Sequence, residues 1–154
     1  MSLAIVDRQR RVSLPIRRLA RTGERVLAAL GRAGGHVDVL VVDDVEVRRL
    51  NRAFRGVGRR TDVLAFPVEM PRAAGGLIGQ IVISSETAAR QARRLTVPIA
   101  AELDLLLTHG LLHLVGYDDR DPVEAAMMHE RERELLGAGP RRPPDSLWEG
   151  LLHR

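Results

Sequence analysis

The chain has 154 residues, a length that suits one domain with a substantial hydrophobic core. It contains no cysteine, which excludes disulfides and thiolate metal sites, and its formal net charge of +4 is modest for a protein that binds nucleic acid mainly through charge. Only 3% of the residues are aromatic, so an aromatic platform for stacked bases is not expected.

The segment Met1 to Leu14 carries charges and lacks a long apolar core. It therefore matches neither a signal peptide nor a membrane span, and we expect a cytoplasmic protein with no membrane partner.

Hydrophobic periodicity predicts strands and helices that alternate through the first half of the chain. The predicted strands are Leu3–Val6, Val37–Val42, Thr61–Pro67 and Leu77–Ser84. The predicted helices are Pro15–Arg32, a helix capped by Asp43 and Asp44 that reaches Phe54, a helix capped by Ser84 or Ser85 that reaches about Leu95, an apolar helix after Pro98, and a last helix from Pro122 to about Leu135.

This order predicts an α/β or α+β fold, with a small mixed sheet of about four strands backed by about five helices and the helix after Pro98 at the centre. Residues 1–136 are expected to form a single catalytic domain, and residues 137–154 a Pro/Arg-rich tail with a short amphipathic segment. Leu147, Trp148, Leu151 and Leu152 recur at helical spacing in that tail. They predict either packing against the domain or contact with a partner.

The last predicted helix carries two adjacent methionines and a histidine. Met127 and Met128 are interpreted as core residues, because methionine commonly fills gaps between apolar side chains. His129 lies among charged residues and is interpreted as solvent-exposed.

The central helix carries a pattern typical of a metal site. His109 and His113 stand four residues apart, so their rings lie on one helical face, one turn apart. Gly116 can take the left-handed conformation that ends a helix, and Asp119 follows three residues later. This spacing matches the metzincin signature with two changes: Gly110 replaces the catalytic glutamate and Asp119 replaces the third histidine.

Two interpretations of these histidines compete. They can be core residues satisfied by hydrogen bonds, or they can bind a metal with Asp119 as the third ligand. The glycine and carboxylate at matching positions favour the metal. Imidazole and carboxylate ligands indicate zinc, and a site with three protein ligands leaves one position open for catalysis.

Three segments carry a resemblance to a known family: Leu50–Arg55 together with Thr61–Pro67, Ile78–Ser84, and Thr108–Asp119. They resemble the YbeY family of bacterial rRNA maturation factors, described as metal-dependent, single-strand-specific endoribonucleases. The resemblance covers most of residues 37–136, and its third segment is highly specific.

The resemblance implies a mixed sheet with surrounding helices, one zinc per chain held by three ligands, processing of the small-subunit rRNA 3′ end, and ribosome quality control. Its implied partners are single-stranded RNA, rRNA and the small ribosomal subunit, without DNA. The first two metal histidines of the family fall on His109 and His113. The third falls on Asp119, the usual aspartate of the strand motif is Gln80 here, and the functional arginine matches Arg55.

Phosphodiester cleavage concentrates negative charge on phosphoryl oxygens, which a metal and a guanidinium can stabilise. We therefore expect Arg55 to act in catalysis beside the metal ligand His109. The alternative for Arg55 is structural pairing with a carboxylate such as Asp62. The attacking group, a metal-bound water or the RNA 2′-hydroxyl, is left open.

Two other functions are compatible with these residues. A zinc hydrolase of a small molecule or peptide would need a general base, for which Asp118 and Asp62 are the candidates near the site in sequence. A non-catalytic ribosome-assembly factor would need neither a base nor Arg55.

Overall fold

The computed structural model of the chain describes residues 3–54, 63–67 and 77–149. Its strands are β1 (Leu3–Asp7), β2 (His36–Val42), β3 (Val63–Pro67) and β4 (Leu77–Ser84). They form one sheet in the order β1-β2-β4-β3, in which β1, β2 and β4 run parallel and β3 pairs antiparallel with β4. The predicted mixed sheet of about four strands is confirmed.

The described helices are α1 (Ile16–Ala29), α2 (Asp44–Phe54), α3 (Ser85–Leu95), α4 (Ile99–Leu114), α5 (Pro122–Gly137) and α6 (Asp145–Glu149). The number exceeds the predicted five by the short α6 in the tail. Every residue of α4 from Ala101 to His113 is buried, and the helix contacts β3, β4, α1, α3 and α5. A helix that is buried on all sides lies at the centre of its domain, as predicted for this one.

Side chains at the helix starts explain where several elements begin. The Ser84 hydroxyl accepts a hydrogen bond from the Thr87 amide and caps α3, which decides between the two serines that the sequence offered. Asp43 and Asp121 cap α2 and α5 in the same way. None of the described helices is both long and apolar enough to cross a membrane.

Two side chains of α5 differ from their sequence interpretation. Met128 is fully buried, as expected for core filling, but Met127 is 60% exposed and is not a core residue. His129 is partly buried, and its Nδ1 lies 3.4 Å from Oε1 of the buried Glu132, so it is not simply solvated. Met127 points away from the domain because α5 buries a different face, along Met128, Glu132 and Leu135.

The tail contacts the domain through α6. Leu147 is fully buried and belongs to an apolar cluster with residues of α3, α4 and α5, including Ala92, Leu105 and Leu136. Of the two alternatives for the tail, packing against the domain holds for this residue, whereas Leu151 and Leu152 lie outside the described residues. The division at residues 136 and 137 stays a prediction.

Candidate metal centre

The two histidines of α4 project their rings to one point. His109 is 1% exposed and His113 6% exposed, and their Nε2 atoms lie 3.1 Å apart. After α4 ends, Gly116 adopts φ +108°, the left-handed conformation predicted for it, and the chain turns back. This turn brings the following residues to the same point as the histidines.

Asp119 arrives from the turn with one carboxylate oxygen toward each imidazole. Its Oδ2 lies 3.4 Å from His109 Nε2, and its Oδ1 lies 3.7 Å from His113 Nε2. Oδ1 is buried and makes no hydrogen bond within the described parts of the chain. A buried carboxylate oxygen without a donor is costly, and a cation at this point would satisfy it.

The other ring nitrogens are held by acceptors, which sets the orientation of both rings. His109 Nδ1 lies 2.9 Å from Glu132 Oε1, and His113 Nδ1 lies 3.1 Å from the Tyr117 carbonyl oxygen. An acceptor at Nδ1 requires a proton there, so in the neutral ring the lone pair is on Nε2. Both Nε2 lone pairs thereby lie toward each other and toward the Asp119 carboxylate.

This geometry fits a metal ion. The ligand atoms of His109, His113 and Asp119 all lie within 4.8 Å of one another. Zinc ligands at about 2.0–2.2 Å in tetrahedral arrangement stand roughly 3.3–3.6 Å apart, close to the separations of the ligand atoms here. Two lone pairs and a carboxylate that face one another also need a positive charge between them. The three residues can therefore bind a metal ion.

The electrostatic environment keeps the ligands in the forms that bind metal. When the His109 ring is protonated at Nε2 it donates to Asp119 and lowers the pKa of that carboxyl to about 2 although burial raises it, so the carboxylate is anionic at neutral pH. Burial and the neighbouring His109 lower the pKa of His113, against the opposite effect of Asp119, and favour its neutral imidazole. Metal binding requires both of these deprotonated states.

Glu132 is a residue of this centre that the sequence interpretation missed. It is fully buried, and although burial raises its pKa, hydrogen bonds with His109 and His129 lower it further, to about 2. A carboxylate behind a metal-binding histidine fixes the ring and increases its basicity. The signal was available, because Glu132 stands four residues after Met128 and three before Leu135, on the apolar face of α5.

Gly110 lies at a close contact between α4 and the sheet. A Cβ atom at this position would lie 3.0 Å from two side-chain atoms of Ile81 in β4. Position 110 therefore faces the sheet, and a side chain there would meet Ile81 first.

Among the remaining sequence candidates, two lie outside the described residues and two are described outside the group of metal ligands. Arg55 and Asp62 lie outside the described residues. Gln80 is exposed, and its neighbours Gly79 and Ile81 face α4, so Gln80 lies on the opposite face of the sheet from the metal group. Asp118 pairs with Arg120 at 2.5 Å and accepts a hydrogen bond from the Asp119 amide.

Comparison with known proteins shows the family of this chain. Residues 4–138 match the family described as Endoribonuclease YbeY. The chain belongs to this family. A relative named Endoribonuclease YbeY from Anaeromyxobacter sp. (strain Fw109-5) is 48% identical over 122 residues, which cover 79% of this chain and 64% of the relative. This chain thus spans less than two thirds of that relative's length.

Other relatives are covered more fully. The Endoribonuclease YbeY of Syntrophus aciditrophicus is 34% identical over 141 residues, 88% of each chain. The solution structure of TM1509 from Thermotoga maritima matches 98% of this chain and 92% of its own, with a TM-score of 0.58 and 25% identity. The YbeY family and the α/β fold expected from the sequence are both confirmed.

Proposed function

We propose that the protein is a zinc-dependent endoribonuclease that cleaves single-stranded RNA, acts on the 3′ end of the small-subunit rRNA, and serves ribosome quality control. The proposal is supported by relatives that bear the name Endoribonuclease YbeY. The observation that carries it is the convergence of His109, His113 and Asp119, whose ligand atoms lie within 4.8 Å of one another.

The donor set supports zinc as the metal. Two imidazole nitrogens and one carboxylate oxygen are ligands that zinc accepts, and three protein ligands are typical of catalytic zinc sites. When bound, zinc would supply Lewis acidity toward a phosphoryl oxygen. His109, His113 and Asp119 would hold it, and Glu132 would keep the His109 ring in orientation through its Nδ1 hydrogen bond.

Arg55 is proposed to stabilise the negative charge that develops on the phosphoryl group, because its guanidinium can donate two parallel hydrogen bonds to phosphate oxygens. His109 would serve catalysis as a metal ligand. The small ribosomal subunit and its rRNA are the proposed partners, and the cytoplasm is the proposed compartment.

Peptide hydrolysis is a weaker candidate because a general base is missing among the described residues near the metal group. Position 110 has no side chain and faces Ile81. The Asp118 carboxylate is held by Arg120 and by a backbone amide. Phosphodiester cleavage depends more on charge stabilisation and positioning, which a metal held by His109, His113 and Asp119 would supply together with the Arg55 guanidinium.

The test combines metal analysis with RNA cleavage. The purified protein should contain about one zinc per chain and cleave single-stranded RNA in preference to duplex. Arg55→Ala should lower cleavage by orders of magnitude with zinc content unchanged, and Arg55→Lys should restore part of it because the bidentate fork is lost. Arg52→Ala, which removes an exposed arginine of α2, is the matched control.

Three results would contradict the proposal. A chelator-free preparation that neither contains nor rebinds a transition metal would remove the metal centre. Bound metal without RNA cleavage would favour the assembly factor. Loss of zinc or of thermal stability in Arg55→Ala would show that the arginine is structural.

A further inference from the structure

A pocket rich in arginine lies between α1, the first half of α4 and the segment that follows α5. Its volume is about 300 Å³, and it is lined by four guanidinium groups and one carboxylate, from Arg18, Arg21, Arg25, Arg141 and Asp104. The formal charge of these groups is +3. The wall includes no aromatic residue, so the pocket offers charge and hydrogen-bond donors but no surface on which a base would stack.

Two of the arginines are held in place by the protein itself. Arg18 Nη2 lies 3.2 Å from Oδ2 of Asp104, and Arg25 Nη1 donates a hydrogen bond of 2.6 Å to the Leu135 carbonyl oxygen. The backbone of Gly139 covers the Arg25 guanidinium so closely that a Cβ there would lie 2.5 Å from Nη2. These contacts hold the Arg18 and Arg25 side chains in place without a ligand. The Arg25 contacts also join α1 to the end of α5.

The other two arginines keep their donors available. Arg21 and Arg141 are exposed, and neither makes a hydrogen bond or ion pair with another side chain in the described ranges. Arg21 belongs to α1, and Arg141 belongs to the Pro/Arg-rich segment after α5, so the two come from distant parts of the sequence. An anion in the pocket would meet two guanidinium forks that make no side-chain contact in the described ranges and two that the protein already holds.

This pocket is separate from the metal centre. Asp104 precedes His109 by five residues on α4, which corresponds to roughly 140° around the helix and about 7.5 Å along it. It precedes His113 by nine residues, roughly 180° around the helix. The two sites therefore open from different sides of the central helix.

We propose that this pocket binds phosphate groups. Guanidinium forks match the geometry of phosphate oxygens, and a preformed positive pocket without aromatic walls selects the phosphate and not the base. Arg18 pairs with Oδ2 of Asp104, and the groups that line the pocket keep a formal charge of +3 with this carboxylate ionised. The phosphate can come from an RNA strand or from a free phosphate compound. The proposal does not depend on RNA cleavage, because binding is measured directly.

The experiment measures binding of inorganic pyrophosphate to the full, metal-loaded chain by isothermal titration calorimetry. The double variant Arg21→Ala/Arg141→Ala should weaken binding at least about tenfold, since two charge-assisted contacts are lost. Arg10→Ala/Arg94→Ala removes two exposed arginines that do not line the pocket, and its affinity should stay within about twofold. Metal content and the thermal midpoint should be equal in all three proteins, because all four substituted side chains are exposed.

A second arm identifies the source of the phosphate. A fluorescent, 2′-O-methylated single-stranded RNA is bound to the same three proteins and displaced with pyrophosphate. Weaker RNA binding only in the pocket variant indicates phosphates of a strand, whereas unchanged RNA binding with lost pyrophosphate binding indicates a free phosphate compound. The proposal is wrong if the pocket variant binds pyrophosphate as the wild type does, because binding would then belong to the metal centre. Equal losses in both double variants would also overturn it, since net charge alone would explain them.

Discussion

Asp119 shares its carboxylate between the two imidazoles of the metal centre, with one oxygen toward each Nε2. The left-handed turn at Gly116 returns the chain to α4, so the residue at position 119 meets the histidines whatever its side chain. An imidazole is also a good zinc ligand, and it would need only a small adjustment of the turn. We therefore expect a histidine at this position, as the family resemblance implies, to change the charge of the centre and to keep its architecture.

The first prediction tests Asp119 as a ligand. Asp119→Ala should weaken zinc binding by more than the roughly 10–100-fold that loss of an outer partner costs, and Asp119→His should bind zinc at least as tightly as the parent. Competition with a chromophoric chelator measures both affinities. Asp118→Asn, which keeps an oxygen near the Asp119 amide, is the control and should stay within a few-fold. If Asp119→Ala retains the parental affinity, the third ligand is another side chain.

The second prediction concerns Glu132 as a positioning residue. Glu132→Gln keeps the size of the side chain but removes the negative charge behind His109, so zinc affinity should fall by about 10–100-fold. Glu134→Gln on the same helix changes a 55% exposed side chain and should leave affinity unchanged. Chelator competition and thermal unfolding are measured on both variants. Lower thermal stability with parental zinc affinity would show that Glu132 serves only the packing of α5.

Among the elements, α4 packs closely against β4. This contact fixes the distance between the sheet and the helix that carries His109 and His113. Gly110 allows α4 to approach Ile81 closely, and the same helix carries His109 next to this contact. Glycine in the interior of a helix usually costs up to about 1 kcal/mol of stability relative to alanine. The close approach of α4 to Ile81 explains why glycine stands here in spite of that cost.

The third prediction follows from this contact. Gly110→Ala would place Cβ 3.0 Å from two Ile81 atoms, and overpacking of about 1–3 kcal/mol should exceed the gain in helix propensity. We expect a net loss of about 1 kcal/mol in the free energy of unfolding, measured in urea. Ile81→Val should relieve part of it in a double-mutant cycle. The control is Gly137→Ala, because a Cβ atom at that position would meet nothing within 4 Å. This variant should leave the free energy of unfolding unchanged or increase it. A higher free energy of unfolding in Gly110→Ala would contradict the prediction and show that Ile81 moves aside at little cost.

The helix that carries His109 and His113 was predictable from sequence, because the residues that indicate a metal site lie close together in the chain. The spacing of His109 and His113 and the glycine at position 116 lie within eight residues of one another. Glu132 reaches His109 across a separation of 23 residues, so its role depends on how α5 packs against α4. The arginine pocket joins α1 to the segment after α5, which no periodicity of either segment indicates. Exposed Met127 was misassigned because composition alone does not tell which face of α5 is buried.

For the whole molecule, the described part of the tail, residues 137–149, contacts the domain through the buried side chain of Leu147. Leu147 fills a cluster formed by α3, α4 and α5, and the neighbouring Trp148 ring lies 5.7 Å from the guanidinium carbon of Arg133. These contacts hold the segment between α5 and α6 against the domain. That segment contributes Arg141 to the arginine pocket, so the packing of α6 supports a site away from the metal centre.

The last prediction separates these two sites by their dependence on the tail. Leu147→Ala should reduce the free energy of unfolding by about 2–5 kcal/mol, because a fully buried leucine is replaced by a cavity in a packed cluster. Met127→Ala truncates a side chain that is 60% exposed and should change it by less than about 0.5 kcal/mol. Urea unfolding gives both values.

The same variant distinguishes the two sites by ligand binding. Under conditions where Leu147→Ala remains folded, its zinc affinity should equal that of the parent, because the Leu147 cluster contains none of the metal ligands. Its pyrophosphate binding should weaken. Parental stability in Leu147→Ala would show that α6 contributes little to the fold, and a loss of zinc affinity would show that the two sites are coupled through α4.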